Sequence, residues 1–133
     1  TVTIHGTNDI PVITGTSSGS VTEDVSVALG LISTSGQLSI TDVDAGEALF
    51  VAQSDIDGSN GYGKFNVDTS GLWSYSASNA STAIQQLGLG DTLTDSFTVV
   101  SLDGSNSQLV TVTIYGTNDT PLIGGVSTAS VTE

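Results

Sequence analysis

Three observations in the amino-acid sequence predict an all-β domain built as a two-layer sandwich. Val, Ile and Leu alternate with Ser, Thr and other polar residues in short runs, which is typical of strands with one buried face. Clusters of Gly, Asn, Asp and Ser separate these runs at spacings of about 10 to 15 residues, as turns between strands do. Seven such runs follow one another, which favours a seven-stranded antiparallel β-sandwich of immunoglobulin-like architecture.

The chain contains one segment twice, 110 residues apart. Thr1–Pro11 reads TVTIHGTNDIP, and Thr111–Pro121 reads TVTIYGTNDTP. When the comparison is extended to Glu23 and Glu133, 16 of 23 positions are identical, which marks a piece of a tandem array. The sequence therefore predicts three parts: the last strand of a preceding repeat and a junction (1–10), one sandwich repeat (11–116), and a junction with the start of the next repeat (117–133).

The first half of the repeat contains three predicted strands. Pro11 ends the junction, because proline cannot occupy a central strand and holds the residue before it extended. The strands are expected at Val12–Val21 with an interruption around Gly15–Gly19, at 25–40 where Val25, Val27 and Leu29 alternate and then Leu38 and Ile40, and at Leu49–Gln53. Ser54–Gly63 is rich in turn residues and is expected to be a long loop.

The second half contains four more strands and one helical turn. Strands are expected around Phe65 and Val67, around Trp73 and Tyr75, at Leu93–Leu102 and at Gln108–Tyr115. Between Asn79 and Gly88 the apolar spacing becomes that of a helix, with Asn79 available as a cap and Gly88 as a stop. The Thr1–Ile4 copy of the last strand is expected to belong to the preceding repeat.

The charge balance is strongly acidic. There are 14 acidic residues, one Lys (Lys64) and no Arg, so the formal net charge is -13. Nucleic acid and anionic membranes are therefore excluded as partners, because both require a basic surface. Cations are favoured, although an acidic surface that only maintains solubility explains the composition equally well. The absence of cysteine excludes disulfides and thiolate metal sites, and no segment has the ~20 apolar residues of a transmembrane helix.

Strand direction sorts the acidic residues between the two ends of the sandwich. Consecutive antiparallel strands place successive turns at alternate ends. We call these ends the incoming pole, which carries Asn8 and Asp9, and the outgoing pole, which carries Asn118 and Asp119. The incoming pole is expected to receive Asp42, Asp44, Glu47, Asp68 and Asp103, and the outgoing pole Glu23, Asp24, Asp55, Asp57, Asp91 and Asp95.

These clusters suit a calcium ion, which takes six to eight oxygen ligands from carboxylates, amides and loop carbonyls. Asp42 and Asp44, two residues apart on an extended segment, would point toward one ion, and Glu47 could complete the site. For any single turn, the alternative is that Asp, Asn and Gly only form the turn. The segment 55–60 partly matches a calcium loop but lacks the distal Glu. The predicted ligands are Asn8, Asp9, Glu23, Asp24, Asp42, Asp44, Glu47, Asp103, Asn118 and Asp119.

Several motifs resemble those of a known family. They are Gly6–Pro11, Ser20–Asp24, Thr41–Glu47, Tyr62–Phe65, Gly71–Tyr75 and Asp95–Val99. Together they resemble the VCBS-type, cadherin-like repeats of giant bacterial RTX adhesins. The resemblance implies tandem extracellular sandwich domains on the bacterial surface, calcium bound between neighbours, and a role in adhesion, aggregation or biofilm. It places Asn-Asp junctions, a first-strand Glu23 and the pair Asp42 and Asp44 at calcium ligand positions, but the cadherin Asp-Arg-Glu motif is absent.

Two functions follow as expectations. The first is a calcium-rigidified extender repeat whose partners are neighbouring repeats of the same chain, with the adhesive ligand elsewhere and the fragment itself monomeric. The alternative is a glycan- or peptide-binding module that uses the 54–63 loop. An enzyme is not expected: His5 is the only histidine and its counterpart is Tyr115, and Trp73 and Tyr75 are expected in the core rather than in a sugar-binding cleft.

Overall fold

The computed structural model describes residues 1–121, 125 and 130–132. The elements are β1 (Val12–Gly15), β2 (Ser18–Thr22), β3 (Leu31–Thr41), β4 (Gln53–Asp57), β5 (Gly63–Val67), β6 (Leu72–Ser78), α1 (Thr82–Gln85), β7 (Thr92–Val100) and β8 (Ser107–Tyr115). One sheet has the order β1-β3-β6-β5-β4 and the other β2-β8-β7. The predicted all-β sandwich is confirmed. In the described part of the chain, no helix has the length and apolar character that crossing a membrane requires.

The first predicted strand divides between the two sheets. β1 pairs antiparallel with β3, with Ile13 opposite Ile40, whereas β2 pairs parallel with β8, with Val21 opposite Ile114. Gly15 adopts a φ of 97° at the crossing point, a conformation that suits glycine. The described residues therefore form eight strands rather than seven, and the sandwich is not wholly antiparallel. β1 and β2 are the two halves of the first predicted strand and run the same way. Strand directions alternate from there to β8, so β2 and β8 run in the same direction and pair in parallel.

The core forms around Trp73 on β6. Trp73, Tyr75 and Ala77 alternate along β6 and are all buried. Trp73 lies over Gly36 of β3, where an added Cβ would be 2.5 Å from its ring. Its Nε1 donates to the carbonyl of Thr16, at a distance of 2.8 Å. A buried indole with a satisfied donor thus fills the space between the sheets.

The segment predicted to begin the second strand is a turn. Val25, Val27 and Leu29 are exposed, and Asp24, Ser26 and Leu29 have φ angles of 60°, 53° and 51°. Three left-handed residues cannot continue an extended strand, so β3 begins only at Leu31. The alternation of valines indicated a strand, but hydrogen bonds between the turn and the α1 region determine the backbone here.

The third predicted strand lies four residues later than expected. Phe50 makes only an isolated bridge to Ser101, and regular pairing begins at Gln53. β4 therefore takes up four of the ten residues of the predicted 54–63 loop. Its register shifts between Gln53 and Ile56, next to Asp55 with a φ of 57°, as at a β-bulge. Most of this edge strand is exposed, so its sequence lacks the apolar alternation that identifies a buried strand.

The helical turn is confirmed as α1, but its cap is different from the predicted one. The N-cap residue is Ser81, which makes no capping side-chain hydrogen bond. The Asn79 side chain instead bonds to Asp24. Residues 1–4 are not a strand in this structure: Val2 and Ile4 are exposed. Their counterparts in β8 pair with β2 and β7, and a strand requires such a partner. Assignment of residues 1–10 to a preceding repeat stays a prediction.

Candidate metal centres

The structure assembles two groups of three carboxylates from residues distant in sequence. At the incoming pole, oxygen atoms of Asp42, Glu47 and Asp103 lie within 4.8 Å of one another. At the outgoing pole, Glu23, Asp24 and Asp119 meet the same limit. We call these the incoming group and the outgoing group. Each group lies where alternating strand directions bring separate turns together.

The incoming group is built on two turns. Asp42 follows β3, and its Oδ1 accepts a hydrogen bond from the Asp44 backbone N at 2.9 Å. The Glu47 backbone N donates to the carbonyl of Asp44. Asp103 lies in the turn between β7 and β8, where its carboxylate accepts from the Ser101 hydroxyl at 2.7 Å and the Ser105 backbone N at 2.9 Å. The 42–47 segment bends rather than extends, and Asp44 is not one of the three carboxylates whose oxygens converge.

Asp44 does not belong to the incoming group and contacts the incoming junction instead. Its Oδ2 accepts from the Asp9 backbone N at 2.7 Å. Asn8 lies near Asp103, whose pKa is lowered by Ser105 and Ser101 and, to a smaller extent, by the Asn8 side chain. The predicted ligands Asp9 and Asp44 are therefore in direct contact. The incoming junction lies against the incoming group.

In the incoming group, the pKa values of Glu47 and Asp103 are shifted in opposite directions. Partial burial raises the pKa of Glu47 above its usual 4.5, and the charges of Asp44, Asp103 and Asp42 raise it further. Hydrogen bonds from the Ser105 backbone and the Ser101 side chain lower the pKa of Asp103 to about 2. In the absence of a cation, a proton taken up by this group therefore goes to Glu47 before Asp103.

The outgoing group begins at the end of β2. Glu23 is fully buried, and its backbone N donates to the carbonyl of Tyr115 on β8. Its Oε1 accepts from the Thr117 backbone N at 2.7 Å and from the Thr117 hydroxyl at 3.2 Å. The Asp24 carboxylate accepts from the side-chain amides of Asn79 and Gln85 at 2.8 and 3.1 Å. Glu23 thus holds the outgoing junction, while α1 and the residues before it hold Asp24.

Asp24 and Asp119 form a close pair, with carboxylate oxygens within 4.8 Å of each other. The amide hydrogen bonds, that from Asn79 above all, lower the pKa of Asp24. Contact with the Asp24 carboxylate, and then partial burial, raise the pKa of Asp119. A proton taken up by this pair therefore goes to Asp119 before Asp24. Asn118, the other predicted ligand at this pole, is exposed.

Three buried carboxylate oxygens have no hydrogen-bond partner among the described residues. They are Glu23 Oε2, Asp42 Oδ2 and Glu47 Oε2, and all three belong to the two groups. A buried polar atom without a partner is costly, and no Arg exists to supply one. Lys64 is already paired with Asp57. Oxygen-only groups with free lone pairs match the ligands of a hard divalent cation, so the residues present fit calcium.

Two acidic residues outside these groups, Asp68 and Asp91, have local partners. Asp68 Oδ1 accepts from the Ser70 hydroxyl and the Ser70 and Leu72 backbones, which lowers its pKa. Asp91 accepts from the Gly88 backbone N. These hydrogen bonds agree with the turn-forming interpretation of single acidic residues.

Asp95 has a structural role that the sequence analysis did not assign. It is fully buried and accepts hydrogen bonds from the backbones of Asn60, Tyr62 and Gly63 and from the Tyr75 hydroxyl. Burial, then the Asp95 charge, raises the pKa of Tyr75. One signal was available: Asp95 alternates with Phe97 and Val99, which places its side chain on the inward face of β7.

The fold and the acidic poles define a class of β-sandwich repeats, and comparison with known proteins identifies the family. The family model of the bacterial cadherin-like domain matches residues 8–116, and the chain belongs to this family. Its members are all-β, typically extracellular and commonly calcium-binding, and the family suggests an adhesin-type extracellular repeat. A comparison with curated proteins returned no match.

Proposed function

We propose that this chain is a calcium-rigidified extender repeat of a secreted RTX-type adhesin on the bacterial cell surface, in an array that serves adhesion, aggregation or biofilm formation. One observation carries the proposal: the buried, unpartnered carboxylate oxygens of Glu23, Asp42 and Glu47 all lie in the two groups beside the junctions. An acidic surface that only maintained solubility would expose its carboxylates to water and would leave no buried oxygen without a partner.

Calcium fits these groups better than other divalent cations. Its coordination is flexible and accepts carboxylates, amides and loop carbonyls in irregular arrangements, whereas Mg²⁺ requires a near-ideal octahedron and retains water. Neither Cys nor a histidine common to both copies is present to favour zinc. Extracellular modules bind calcium with dissociation constants of roughly 10⁻⁴ to 10⁻³ M, so millimolar extracellular calcium would fill such sites.

In an array with the 110-residue period, the outgoing group and the incoming group would lie at the same junction. Asp9 and Asp119 occupy the same position in the 110-residue period. The Asp9 backbone contacts Asp44 of the domain that follows it, and the Asp119 carboxylate lies within 4.8 Å of Asp24 of the domain that precedes it. In an array, one junction would make both contacts. The outgoing group of each repeat would then lie beside the incoming group of the next repeat.

Each junction of an array would contain one Asn-Asp pair, because Asn8 and Asp9 are the counterparts of Asn118 and Asp119. The ten predicted ligands therefore give eight at a junction: this shared pair, Glu23 and Asp24 from the preceding repeat, and Asp42, Asp44, Glu47 and Asp103 from the following one. Without a cation, the two groups of like charge repel each other and the junction bends freely. When calcium is bound, it supplies the positive charge that this chain lacks, and the chain's carboxylates hold the two domains at one angle.

Calcium titration of the chain tests the proposal directly. Calcium binding detected by calorimetry should accompany a rise in melting temperature, because a ligand bound only by the folded state stabilises that state. Asp103→Asn should weaken binding by about tenfold or more, since a charged ligand is lost from the incoming group. The control is Asp68→Asn, which removes the same charge from the same pole but keeps the Oδ1 acceptor of its turn. Equal affinity in the two variants would contradict the proposal.

A second candidate is glycan binding, favoured by one groove of about 410 Å³ beside β4 and β5. Tyr62, Lys64, Asp57, Asn66 and Ser76 contribute to its lining. An aromatic ring beside charged and amide side chains offers both stacking and hydrogen bonds to a sugar. A glycan array would distinguish the candidates: the extender binds no glycan, whereas a binding module gives a signal that Tyr62→Ala abolishes.

A further inference from the structure

An apolar surface lies beside the carboxylate group at each pole. At the outgoing pole, the turn of residues 24–30 exposes Val25, Val27 and Leu29, and Leu29 is fully exposed. We call this the apolar turn. At the incoming pole, a groove of about 320 Å³ is lined by Ile10, Val12 and Val43 together with Asp9, Thr41 and Asp42. We call this the apolar groove. Val43 is 83% exposed, so both surfaces place large apolar side chains in water.

The backbone of the apolar turn is strained. Asp24, Ser26 and Leu29 all adopt left-handed φ angles between 51° and 60°, which non-glycine residues rarely do and which is an outlier for a bulky side chain. Two hydrogen bonds between Ala28 and Leu31 and one from the Asn79 backbone to Gly30 hold this conformation. The turn is thus a fixed shape that displays three apolar side chains. Strain of this kind persists where the displayed shape has a use.

The repeated junction brings the two surfaces toward each other. Val25 follows Asp24, whose carboxylate lies within 4.8 Å of the Asp119 carboxylate. Val43 precedes Asp44, whose carboxylate contacts the backbone of Asp9. Since Asp9 and Asp119 are the same position of the repeat, one Asp in an array lies beside Asp24 on one side and Asp44 on the other. Val25 of one repeat is therefore adjacent in sequence to a residue that lies beside this shared Asp. Val43 of the next repeat is likewise adjacent in sequence to such a residue.

We propose that the apolar turn of each repeat packs into the apolar groove of the next repeat. This inference rests on the proposed tandem arrangement and adds a second kind of contact to it. The occupant is another copy of this domain, because the chain that leaves the outgoing group continues directly into the next incoming pole. Removal of Val25, Val27 and Leu29 from water supplies an attraction that salt does not screen. The packing also fixes the rotation of one domain relative to the next about the junction, which charge attraction alone does not do.

Disulfide trapping in a two-repeat chain tests the contact, since the protein has no native cysteine. Residues 1–119 followed directly by residues 10–133 give two repeats and retain Ile10 at the junction. Val25→Cys, Val27→Cys or Leu29→Cys in the first repeat is combined with Val43→Cys in the second. A disulfide requires Cα atoms within about 7 Å. In calcium, at least one pair should cross-link at least tenfold faster than the control pair, Leu109→Cys with Val43→Cys.

Leu109 suits the control because it is half-exposed on β8 and belongs to neither pole. If none of the three pairs cross-links faster than the control, the inference is overturned. Calcium binding to the same chains, measured by calorimetry, separates this failure from failure of the proposed function. Bound calcium without cross-linking contradicts only the apolar contact, whereas absence of calcium binding contradicts the extender proposal itself.

Leu29→Gly is a second test that does not depend on cysteine chemistry. Glycine adopts the left-handed conformation without strain, so the single chain should melt at the same temperature or a few degrees higher. In the two-repeat chain, the same substitution removes the apolar side chain from the interface. In calcium, the two-repeat chain should melt at a higher temperature than the single repeat. Leu29→Gly should reduce this difference in melting temperature by half or more. An unchanged difference would contradict the inference.

Discussion

Asp95 is a charged residue at a position of β7 where strand alternation directs the side chain into the core. Its carboxylate accepts three backbone N–H groups of the turn between β4 and β5, with distances of 2.9 to 3.0 Å. The Tyr75 hydroxyl donates to the same carboxylate from β6. A carboxylate can accept this many donors because it has about four lone-pair sites. Asp95 therefore attaches the β4–β5 turn to the second sheet, in a chain that contains no disulfide.

Replacement of Asp95 should destabilise the fold strongly. Asp95→Ala leaves the buried Tyr75 hydroxyl and three partly buried backbone donors without their acceptor, and we expect the free energy of unfolding to fall by about 3 kcal/mol. Asp95→Asn should cost less, because one oxygen remains while the amide N–H₂ opposes the donors. Urea unfolding measures both. Asp91→Ala is the control, since that exposed carboxylate accepts one backbone hydrogen bond. Equal stability of Asp95→Ala and Asp91→Ala would contradict this account.

Gly36 determines how closely Trp73 approaches β3. A Cβ at this position would lie 2.5 Å from the indole ring, so Gly36→Ala forces either the ring or the strand to move. We expect a loss of about 1 to 3 kcal/mol in unfolding free energy, as for other overpacked cores. Gly6→Ala is the matched control because nothing lies within 4 Å of its added Cβ. Thermal unfolding of the two variants checks the difference, and equal melting temperatures would refute the packing argument.

At the scale of elements, the sequence predicts strands well where one face is buried. Trp73, Tyr75 and Ala77 alternate on β6, and Val110, Val112 and Ile114 alternate on β8, and all six side chains are buried. The strand prediction was wrong in two segments where burial of one face does not determine the backbone conformation. β4 is an exposed edge with a bulge at Asp55, and Val25–Leu29 is an apolar segment outside the core. Neither case carries a local signal, because contacts with distant residues determine the backbone.

The carboxylate groups could be predicted for the same reason as the strands. Alternating strand directions place the turns at Asp42 and Asp103 at one pole and those at Glu23 and Asp119 at the other, whatever the pairing order. The positioning residues could not be predicted. Asn79 was expected to cap α1 but bonds to Asp24, and the Ser101 and Ser105 contacts with Asp103 depend on the exact turn geometry.

The incoming and outgoing groups should make stability depend on pH when calcium is absent. Glu47 and Asp119 have raised pKa values. Each favours folding when protonated, and this contribution is lost as pH rises through its folded pKa. Asp24, Asp68 and Asp103 have lowered pKa values. Their contribution is present above an unfolded pKa near 3.8 and is lost only as pH falls below it, to about 2 for Asp103.

As pH falls from 7 toward the unfolded pKa values of 4.5 for Glu47 and 3.8 for Asp119, these raised groups are therefore the first of the five to take up protons. In chelator, the melting temperature should rise as pH falls over this range and decrease again below about pH 4. In calcium, the rise should vanish, because the cation requires the charged carboxylates. Glu47→Gln should flatten the rise in chelator. A steady loss of stability from pH 7 to 5 in chelator would contradict the pKa directions.

At the scale of the whole molecule, the strand directions place the two junctions at opposite ends. The Pro11 carbonyl accepts from the Asn106 side chain at the incoming pole, and Thr117 binds Glu23 at the outgoing pole. β8 spans nine residues between the poles, about 30 Å at the usual rise of a strand. Repeats joined in this way extend along one line, provided that each junction keeps a fixed angle.

Small-angle X-ray scattering of the two-repeat chain tests the central claim most directly. Calcium should neutralise the facing carboxylate groups and align the domains, so the maximum dimension in millimolar calcium should exceed that in chelator, with a narrower distribution of interdomain distances. Combining Asp24→Asn in the first repeat with Asp42→Asn and Asp103→Asn in the second should remove the difference. Scattering curves of the unsubstituted two-repeat chain that superimpose in calcium and in chelator would contradict the claim that calcium rigidifies this repeat.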